Sequence, residues 1–215
     1  MMRLYDYWRS SAAYRVRIAL NLKGLKPETA AVDLRRNGGE QHGAAFAAVN
    51  PQKLVPALDD SGQVLTQSLA IIEYLDETYP QPPLLPGTAH DRARIRAMAL
   101  TVAADIHPIQ NLRVLKYLQQ HHGASEAQTQ AWARHWISLG FEALEGLVQR
   151  APQHGPYCYG NSVTLADIAL VPQMANARRF GCDVSVFPRL VAVDAALCAL
   201  PAFSKAAPEN QPGAS

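Results

Sequence analysis

The feature that most constrains the fold is a change of pattern at residues 80–87, which read PQPPLLPG. Proline at this density stiffens the chain and forbids a helix. Before this segment, short apolar runs alternate with helical patterns. After it, residues 88–205 have apolar positions at helical spacing throughout. We therefore predict a mixed α/β domain over residues 1–80, a linker over 81–87 and an all-helical domain over 88–215.

The first domain has a readable order of elements. RLYDYW (3–8) and ETAAVDL (28–34) are strand candidates, and a helix over Ala13–Lys23 ends before Gly24. Ser61-Gly62 between VPALDD and QVLT indicates a hairpin. A further helix, with Ser68 as its N-cap, runs to Pro80. The predicted order is β-α-β-(α)-β-β-α, whereas the closing APENQPGAS is expected to be disordered.

Composition excludes several classes of protein. The 20 basic and 18 acidic residues give a net charge of +2, too balanced for a nucleic-acid or membrane-surface partner. The three cysteines, Cys158, Cys182 and Cys198, are too far apart for a metal motif, and their odd number suits a reducing compartment. The start lacks the apolar run of a signal peptide. We expect a soluble, cytoplasmic protein without a metal.

The strongest candidate for chemistry is a pair of hydroxyls, Ser10 and Ser11, just ahead of the first helix. They could cap that helix, act as nucleophiles, or donate hydrogen bonds to a nucleophile that comes from elsewhere. The sequence contains no GxSxG, HExxH, P-loop or GxGxxG motif. A serine hydrolase also needs a nearby base, and the local sequence supplies none. The reactive group therefore comes from a bound ligand, or the chain catalyses no reaction.

The order of elements, with Val55-Pro56 in the third strand and Gln67-Ser68 opening the third helix, resembles the cytosolic glutathione transferases. The stretch SSAAYRVRIALNLKG is similar to the signature of their zeta class. So are NPQKLVPAL, QSLAIIEYL, DIHPIQNLRVLKYL, TLADIALVPQMANARRF and AAPENQP, which together cover nearly the whole chain. The resemblance implies a thioredoxin-like domain followed by an all-α domain.

The resemblance also implies a function. Zeta-class proteins include glutathione-dependent cis–trans isomerases of the maleyl keto-acids maleylacetoacetate and maleylpyruvate, in aromatic catabolism. Their cofactor is glutathione, their substrates are dicarboxylates, and they are commonly homodimers. Between the two keto-acids the sequence does not decide.

An isomerase of this kind needs a nucleophile that adds reversibly to a conjugated double bond, and glutathione supplies the sulfur. A free thiol has a pKa of about 8.5, which a helix N-terminus and hydroxyl donors lower. The resemblance implies Ser10 as the principal thiolate donor, Ser11 as its neighbour and Arg9 as a catalytic flank. Ala12 stands where many family members have cysteine, so an enzyme thiol takes no part here.

The rest of the glutathione site is implied residue by residue. A cis Val55–Pro56 bond would leave the Val55 backbone free to pair with the cysteinyl part of the tripeptide. Gln67 and Ser68 are assigned to the γ-glutamyl carboxylate, and Ser68 is also a plain N-cap. Gln41 is assigned to the glycyl end, with His42 as the alternative.

The second domain contributes further candidates by resemblance. His107, Gln110 and Asn111, around Pro108 where a helical bend is expected, are placed at the mouth of the pocket. Arginine's planar fork suits a dicarboxylate, and the resemblance places three of them at the substrate: Arg9, Arg113 and Arg179. For each, a solvated helix face is the alternative.

Four motif residues are interpreted as structural. Thr164 and Asp167 form a capping box. Arg15 and Arg17 are expected to pair with acids or to reach the domain interface.

Two other functions compete with isomerisation. A conjugating transferase or dehalogenase would use the same thiolate, but would not need several arginines for an acidic substrate. A binding module without activity would not be expected to keep Ser10, Pro56, Gln67 and Ser68.

Overall fold

A computed structural model describes residues 1–214, with the side chain of Asn37 excluded. In chain order its strands and α-helices are β1 (Met2–Asp6), α1 (Ser11–Leu22), β2 (Glu28–Ala31), α2 (Ala44–Val49), β3 (Ala57–Asp60), β4 (Gln63–Thr66), α3 (Ser68–Thr78), α4 (Ala89–Leu100), α5 (Leu112–His122), α6 (Glu126–Gln149), α7 (Leu165–Arg179), α8 (Pro188–Cys198) and α9 (Pro201–Ser204). The predicted order of elements through α3 is confirmed. So is the predicted fold class, an α/β thioredoxin-like part followed by an all-α part.

The chain divides into two compact units, one of Met1–Leu84 together with the residues from Ala199 onward, the other of Leu85–Cys198. The division falls within the segment predicted as a linker. The last residues were assigned to the helical domain from sequence, whereas they group with the first unit here. The reason is hydrogen bonding. Tyr14 and Arg17 of α1 donate to the carbonyls of Phe203 and Ala206 at 3.3 and 3.0 Å.

The first unit is built on a mixed sheet with the strand order β2-β1-β3-β4. β1 pairs in parallel with β2, and the other two pairings are antiparallel. The predicted hairpin is confirmed, because Ser61 and Gly62 both have positive φ, 55° and 90°, as a tight two-residue turn requires. Helices α1 and α3 pack together over the sheet, burying Ile18, Ile71 and Leu75 completely.

The expected disorder of the closing segment is wrong for the residues that the structure describes. Pro208–Asn210 form a 3₁₀ turn. Asn210 donates to the Ser204 carbonyl at 2.7 Å, and Gln211 donates to the carbonyls of Lys205 and Ala207. Composition alone suggested disorder, but these side chains satisfy the backbone of the turn that precedes them.

The second unit is all-helical among the described residues, and the predicted helices over α6, α7 and α8 are confirmed. The predicted capping box is confirmed as well. The Asp167 carboxylate accepts from the backbone N–H and the hydroxyl of Thr164 at 2.7 and 2.8 Å, and from the Cys158 N–H at 2.8 Å. Burial raises the pKa of Asp167, and these hydrogen bonds oppose the rise.

One predicted helix is interrupted rather than bent. After α4 the backbone continues as a π-helix over Thr101–Ile106, then turns at residues 107–110 before α5 begins at Leu112. A π segment of this kind shifts the register of the side chains that follow it, and it is frequent at functional sites. No helix among residues 1–214 is long and apolar enough to cross a membrane.

Candidate active site

Three segments predicted to bind the cofactor lie next to one another at one end of the strands. Ala57, the first residue of β3, pairs with Tyr5 of β1 on one side and with Thr66 of β4 on the other. Because both pairings are antiparallel, the residues that follow β1, precede β3 and follow β4 emerge side by side. These residues are the serine loop, Val55-Pro56 and Gln67-Ser68.

Ser10 is the N-cap residue of α1. Its backbone is extended, with φ −71° and ψ 119°, and its Oγ accepts a hydrogen bond from the Ala13 N–H at 3.2 Å. A hydroxyl has two acceptor lone pairs and one proton to donate. Since the cap uses a lone pair only, the proton is available to an acceptor beyond the helix. Ser10 can therefore cap the helix and donate to a thiolate at the same time.

The residues on either side of Ser10 differ in exposure. Ser11, the first residue of α1, is buried, and Ala12 is half-buried. Arg9 is half-buried too, with its Cζ 5.8 Å from the centre of the Trp8 ring. This cation–π contact holds the stem of Arg9 against the loop.

The predicted cis bond between Val55 and Pro56 is confirmed. Val55 packs in a small apolar cluster with Tyr7, Val32 and Phe46, which fixes it beside the end of β1. The ladder between β1 and β3 begins only at Ala57, so the backbone of Val55 lies outside it.

Gln67 and Ser68 open α3, but in a different way from the prediction. Ser68 is the first helical residue, and Gln67 occupies the N-cap position with φ 69° and ψ 116°. A positive φ at a residue other than glycine is strained, and such strain is concentrated at functional sites. The Gln67 side chain is exposed and donates to Gln52 Oε1 at 3.1 Å. The prediction of Ser68 as the N-cap is therefore wrong by one residue.

The hydroxyl of Ser68 has a partner that sequence reasoning missed. Arg15 Nη1 donates to Ser68 Oγ at 3.3 Å, which joins α1 to the start of α3. Arg15 is only 2% exposed, and no acidic side chain pairs with it within residues 1–214. Burial lowers the pKa of Arg15 to about 10, so it stays charged at neutral pH. No local signal separates Arg15 from Arg17 in the run RVR.

Arg17 shows the pairing that was expected. Its Nη1 lies 2.7 Å from Asp6 Oδ1, with both side chains buried, and its Nη2 donates to the Trp8 carbonyl at 3.0 Å. Burial lowers the pKa of Arg17, and the Asp6 carboxylate opposes this change. Arg17 thus fixes the end of β1 and the loop that leads to Ser10.

The N-termini of α1 and α3 share an electrostatic property. Neither helix has an acidic residue in its first turn. Helices α4, α6 and α7 carry Asp91, Glu126 and Asp167 there, whereas α2, α5, α8 and α9 also have none. An acid in the first turn offsets the positive end of the helix dipole. The two helices at the sheet edge thus keep an uncompensated positive end, which favours an anionic ligand.

The candidates for the glycyl end lie in a 3₁₀ turn, Glu40–His42. Gln41 is buried, its Nε2 lies 3.1 Å from His42 Nε2, and its Oε1 has no partner within the described residues. His42 is exposed. Gly39 has φ 115°, and a Cβ there would collide with the Gln41 side chain. A buried acceptor without a donor makes Gln41 the better candidate for a ligand N–H.

The remaining candidates belong to the second unit. His107 is the C-cap residue of the π-helix, and its N–H donates to the Val102 carbonyl at 2.9 Å. Gln110 is 3% exposed, and its Nε2 has no partner within residues 1–214. Asn111 caps α5, accepting from the Arg113 N–H at 3.2 Å. That contact gives Asn111 a structural role which the sequence did not assign.

Arg113 and Arg179 are both exposed. Arg113 lies in the first turn of α5, and Arg179 ends α7 with its Cζ 5.4 Å from the centre of the Phe180 ring. A cation at a helix C-terminus, as at Arg179, is stabilised by the dipole.

Comparison with known proteins gives consistent results. Residues 4–83 match the family model for the N-terminal domain of glutathione S-transferase. A relative from Vibrio cholerae, named as a probable maleylacetoacetate isomerase, is 55% identical over 98% of this chain and 97% of its own.

Two solved structures share the fold over nearly the full length. One is a holo structure of maleylpyruvate isomerase, a bacterial zeta-class glutathione S-transferase, with 52% identity, a TM-score of 0.96, and coverage of 99% of this chain and 100% of its own. The other is a maleylacetoacetate isomerase from Methylobacterium extorquens AM1 with bound malonate and GSH, at 40% identity, a TM-score of 0.95, and 99% coverage of both chains.

Proposed function

Since the chain belongs to the zeta class of the glutathione transferases, we propose that it is a glutathione-dependent cis–trans isomerase of a maleyl keto-acid. The observation that carries this is the sheet edge where the N-termini of α1 and α3 meet. Each presents a serine hydroxyl whose oxygen already accepts a bond from the protein, and neither has an acid in its first turn. Such a site stabilises a thiolate at one helix and a carboxylate at the other.

Each residue of the proposed glutathione site has a separate role. Glutathione, when bound, supplies the thiolate that adds reversibly to the double bond. Ser10 donates its hydroxyl proton toward the sulfur, with the N–H groups of the first turn of α1 behind it. Ser68 and Gln67 hold the γ-glutamyl carboxylate, and the Val55 backbone pairs with the cysteinyl residue. Gln41 receives an N–H near the glycyl end.

The substrate is a dicarboxylate, and we assign the binding of its two carboxylates to arginine side chains. Arg9 follows directly from the serine loop, and Arg113 and Arg179 are exposed cations of the second unit. Bound malonate in the Methylobacterium extorquens structure supports an acidic ligand in this family. Three residues of the second unit are assigned to glutathione: His107, Gln110 and Asn111. Gln110 suits this role because its Nε2 is a buried donor with no partner within residues 1–214.

Two further properties belong to the proposal. The chain acts as a homodimer, as is common in its family. It works in the cytoplasm, which is supported by Cys158, Cys182 and Cys198 all being free thiols.

The deciding experiment follows each maleyl keto-acid with purified protein and a catalytic amount of glutathione. Loss of substrate without loss of free thiol is expected, because elimination returns the cofactor. The faster of the two keto-acids identifies the better substrate. Consumption of one thiol for each substrate molecule would instead establish conjugation, the competing function.

A further inference from the structure

Arg15 is a buried cation without an anionic partner among residues 1–214. Its side chain is 2% exposed, and its Nη1 donates to Ser68 Oγ at 3.3 Å. Its Nε and Nη2 are buried without a partner within residues 1–214. Buried charges in proteins are nearly always paired, because desolvation is costly. An uncompensated guanidinium at this position therefore needs a reason.

Arg17 shows that this chain does pair a buried arginine whose role is structural. It lies two residues further along α1, is 6% exposed, and has Asp6 at 2.7 Å and the Ala206 carbonyl at 3.0 Å. The two arginines share a helix and a degree of burial, so the difference between them lies in what faces each one. Asp6 faces Arg17, whereas the uncharged hydroxyl of Ser68 faces Arg15.

An anion that balances the charge of Arg15 would lie at the start of α3. Ser68 Oγ accepts from Arg15, so its own proton is directed to another acceptor. No acidic side chain lies in the first turn of α3. A donor that is itself hydrogen-bonded to a cation is a stronger donor.

We propose that Arg15 is a positioning residue for a ligand carboxylate: it orients and polarises the Ser68 hydroxyl, and its charge is balanced only when that carboxylate is bound. The inference rests on the proposed function, in which the carboxylate is the γ-glutamyl α-carboxylate of glutathione. Because Arg15 is only 2% exposed and donates to Ser68 Oγ, we assign it an effect through Ser68 and no contact with the ligand itself.

This arrangement exchanges stability for selectivity. In the free protein the buried charge is a cost, and removing it with an apolar residue of similar length relieves that cost. In the complex the same charge favours a ligand with a carboxylate over one without it. Removing the charge should therefore keep or raise the stability while it weakens the binding of glutathione. If Arg15 served only in packing, its removal would lower both the stability and the affinity.

The test measures the affinity of the full-length chain, by titration calorimetry at neutral pH, for two ligands. One is glutathione. The other has 4-aminobutyryl in place of γ-glutamyl and so lacks only the α-carboxylate. Arg15→Met is expected to reduce the preference for glutathione over this analogue by about tenfold or more. It is also expected to raise the KM for glutathione with little change in kcat, and to unfold at the same or a higher temperature.

Two variants serve as controls. Arg17→Met combined with Asp6→Leu removes the buried ion pair two residues further along the same helix without stranding a charge, and it should leave the ratio of the two affinities within about twofold of the wild type. Arg15→Lys should keep most of the preference, because it keeps the charge. If Arg15→Met does not fold, Arg15→Gln, which retains a donor but no charge, serves in the same comparison.

The outcomes are distinct. An unchanged ratio in Arg15→Met, or equal weakening toward both ligands, overturns the inference while leaving the proposed function intact. A Lys variant that loses the preference as fully as Met overturns the assignment of the effect to charge. If the wild-type chain binds neither ligand, it is the proposed function that fails.

Discussion

Replacing Ser10 by alanine removes two interactions at once, and the structure allows them to be separated. The Oγ of Ser10 accepts from the Ala13 N–H at 3.2 Å, which is the helix cap. Its proton is the one assigned to the sulfur of glutathione. Loss of the cap affects stability, whereas loss of the proton donor affects the pKa of the bound thiol.

The two effects have different sizes. Losing a serine N-cap to alanine costs about 1 kcal/mol of stability, but only a few tenths when glycine takes its place. A hydrogen bond to a charged group contributes about 1.5–3 kcal/mol, which corresponds to a rise of roughly 1–2 units in the pKa of the thiol. At neutral pH this reduces the thiolate fraction, and with it the rate, by at most about tenfold to a hundredfold, and by less where the wild-type pKa of the thiol lies below about 7. The N–H groups of α1 remain, so some depression of that pKa persists.

The assay is a pH titration of the ultraviolet absorbance of the bound thiolate, together with initial rates of isomerisation and thermal unfolding. Ser10→Ala and Ser10→Gly should show the same rise in the pKa of the thiol and the same loss of rate. They should differ in stability, with the glycine variant closer to the wild type. Ser10→Thr keeps the hydroxyl and should retain most of the activity.

Two results would refute this reasoning. If Ser10→Ala titrates like the wild type, Ser10 is not the thiolate donor, and Ser11→Ala becomes the next variant to measure. If the rates of the alanine and glycine variants follow their stabilities, then the cap and not the proton explains the loss.

Three other substitutions test the surrounding structure. Arg17→Met leaves the Asp6 carboxylate buried without its cation and should lower the free energy of unfolding by about 3–5 kcal/mol; adding Asp6→Leu should restore most of it in urea denaturation. Asp167→Ala removes the acceptor of three buried hydrogen bonds and should cost at least about 3 kcal/mol, measured in the same way. Ala12→Cys should leave the isomerisation rate nearly unchanged, and a large increase would show that an enzyme thiol can take part.

Local signals were sufficient wherever a local interaction decides the structure. The hairpin at Ser61-Gly62 depends on two adjacent residues with positive φ, and the capping box at Thr164 depends on an acid three residues later. Both were predicted correctly. The cis bond before Pro56 was predicted as well, but from the family resemblance, since a Val-Pro pair alone does not specify its isomer.

The sequence-based predictions were wrong where residues distant in the sequence determine the local structure. The closing segment has a composition typical of disorder, yet α1 supplies donors to Phe203 and Ala206 that draw the chain preceding it onto the first unit. The N-cap of α3 shifted by one residue because Gln67 adopts a positive φ that its side chain does not predict. The helix around Pro108 does not simply bend, since a π segment takes up the change of register before the proline is reached.

Helix α1 connects several parts of the first unit. Its N-terminus presents Ser10, Arg15 reaches across to Ser68, and Arg17 ties the loop after β1 and the closing residues to the same helix. A shift of α1 by one residue would therefore displace Ser10, the proposed thiolate donor, and Arg15, the proposed support of Ser68, together. On the proposed roles, the buried charge of Arg15 acts on the far end of the same ligand whose sulfur lies at Ser10, which accounts for keeping that charge at a cost to stability.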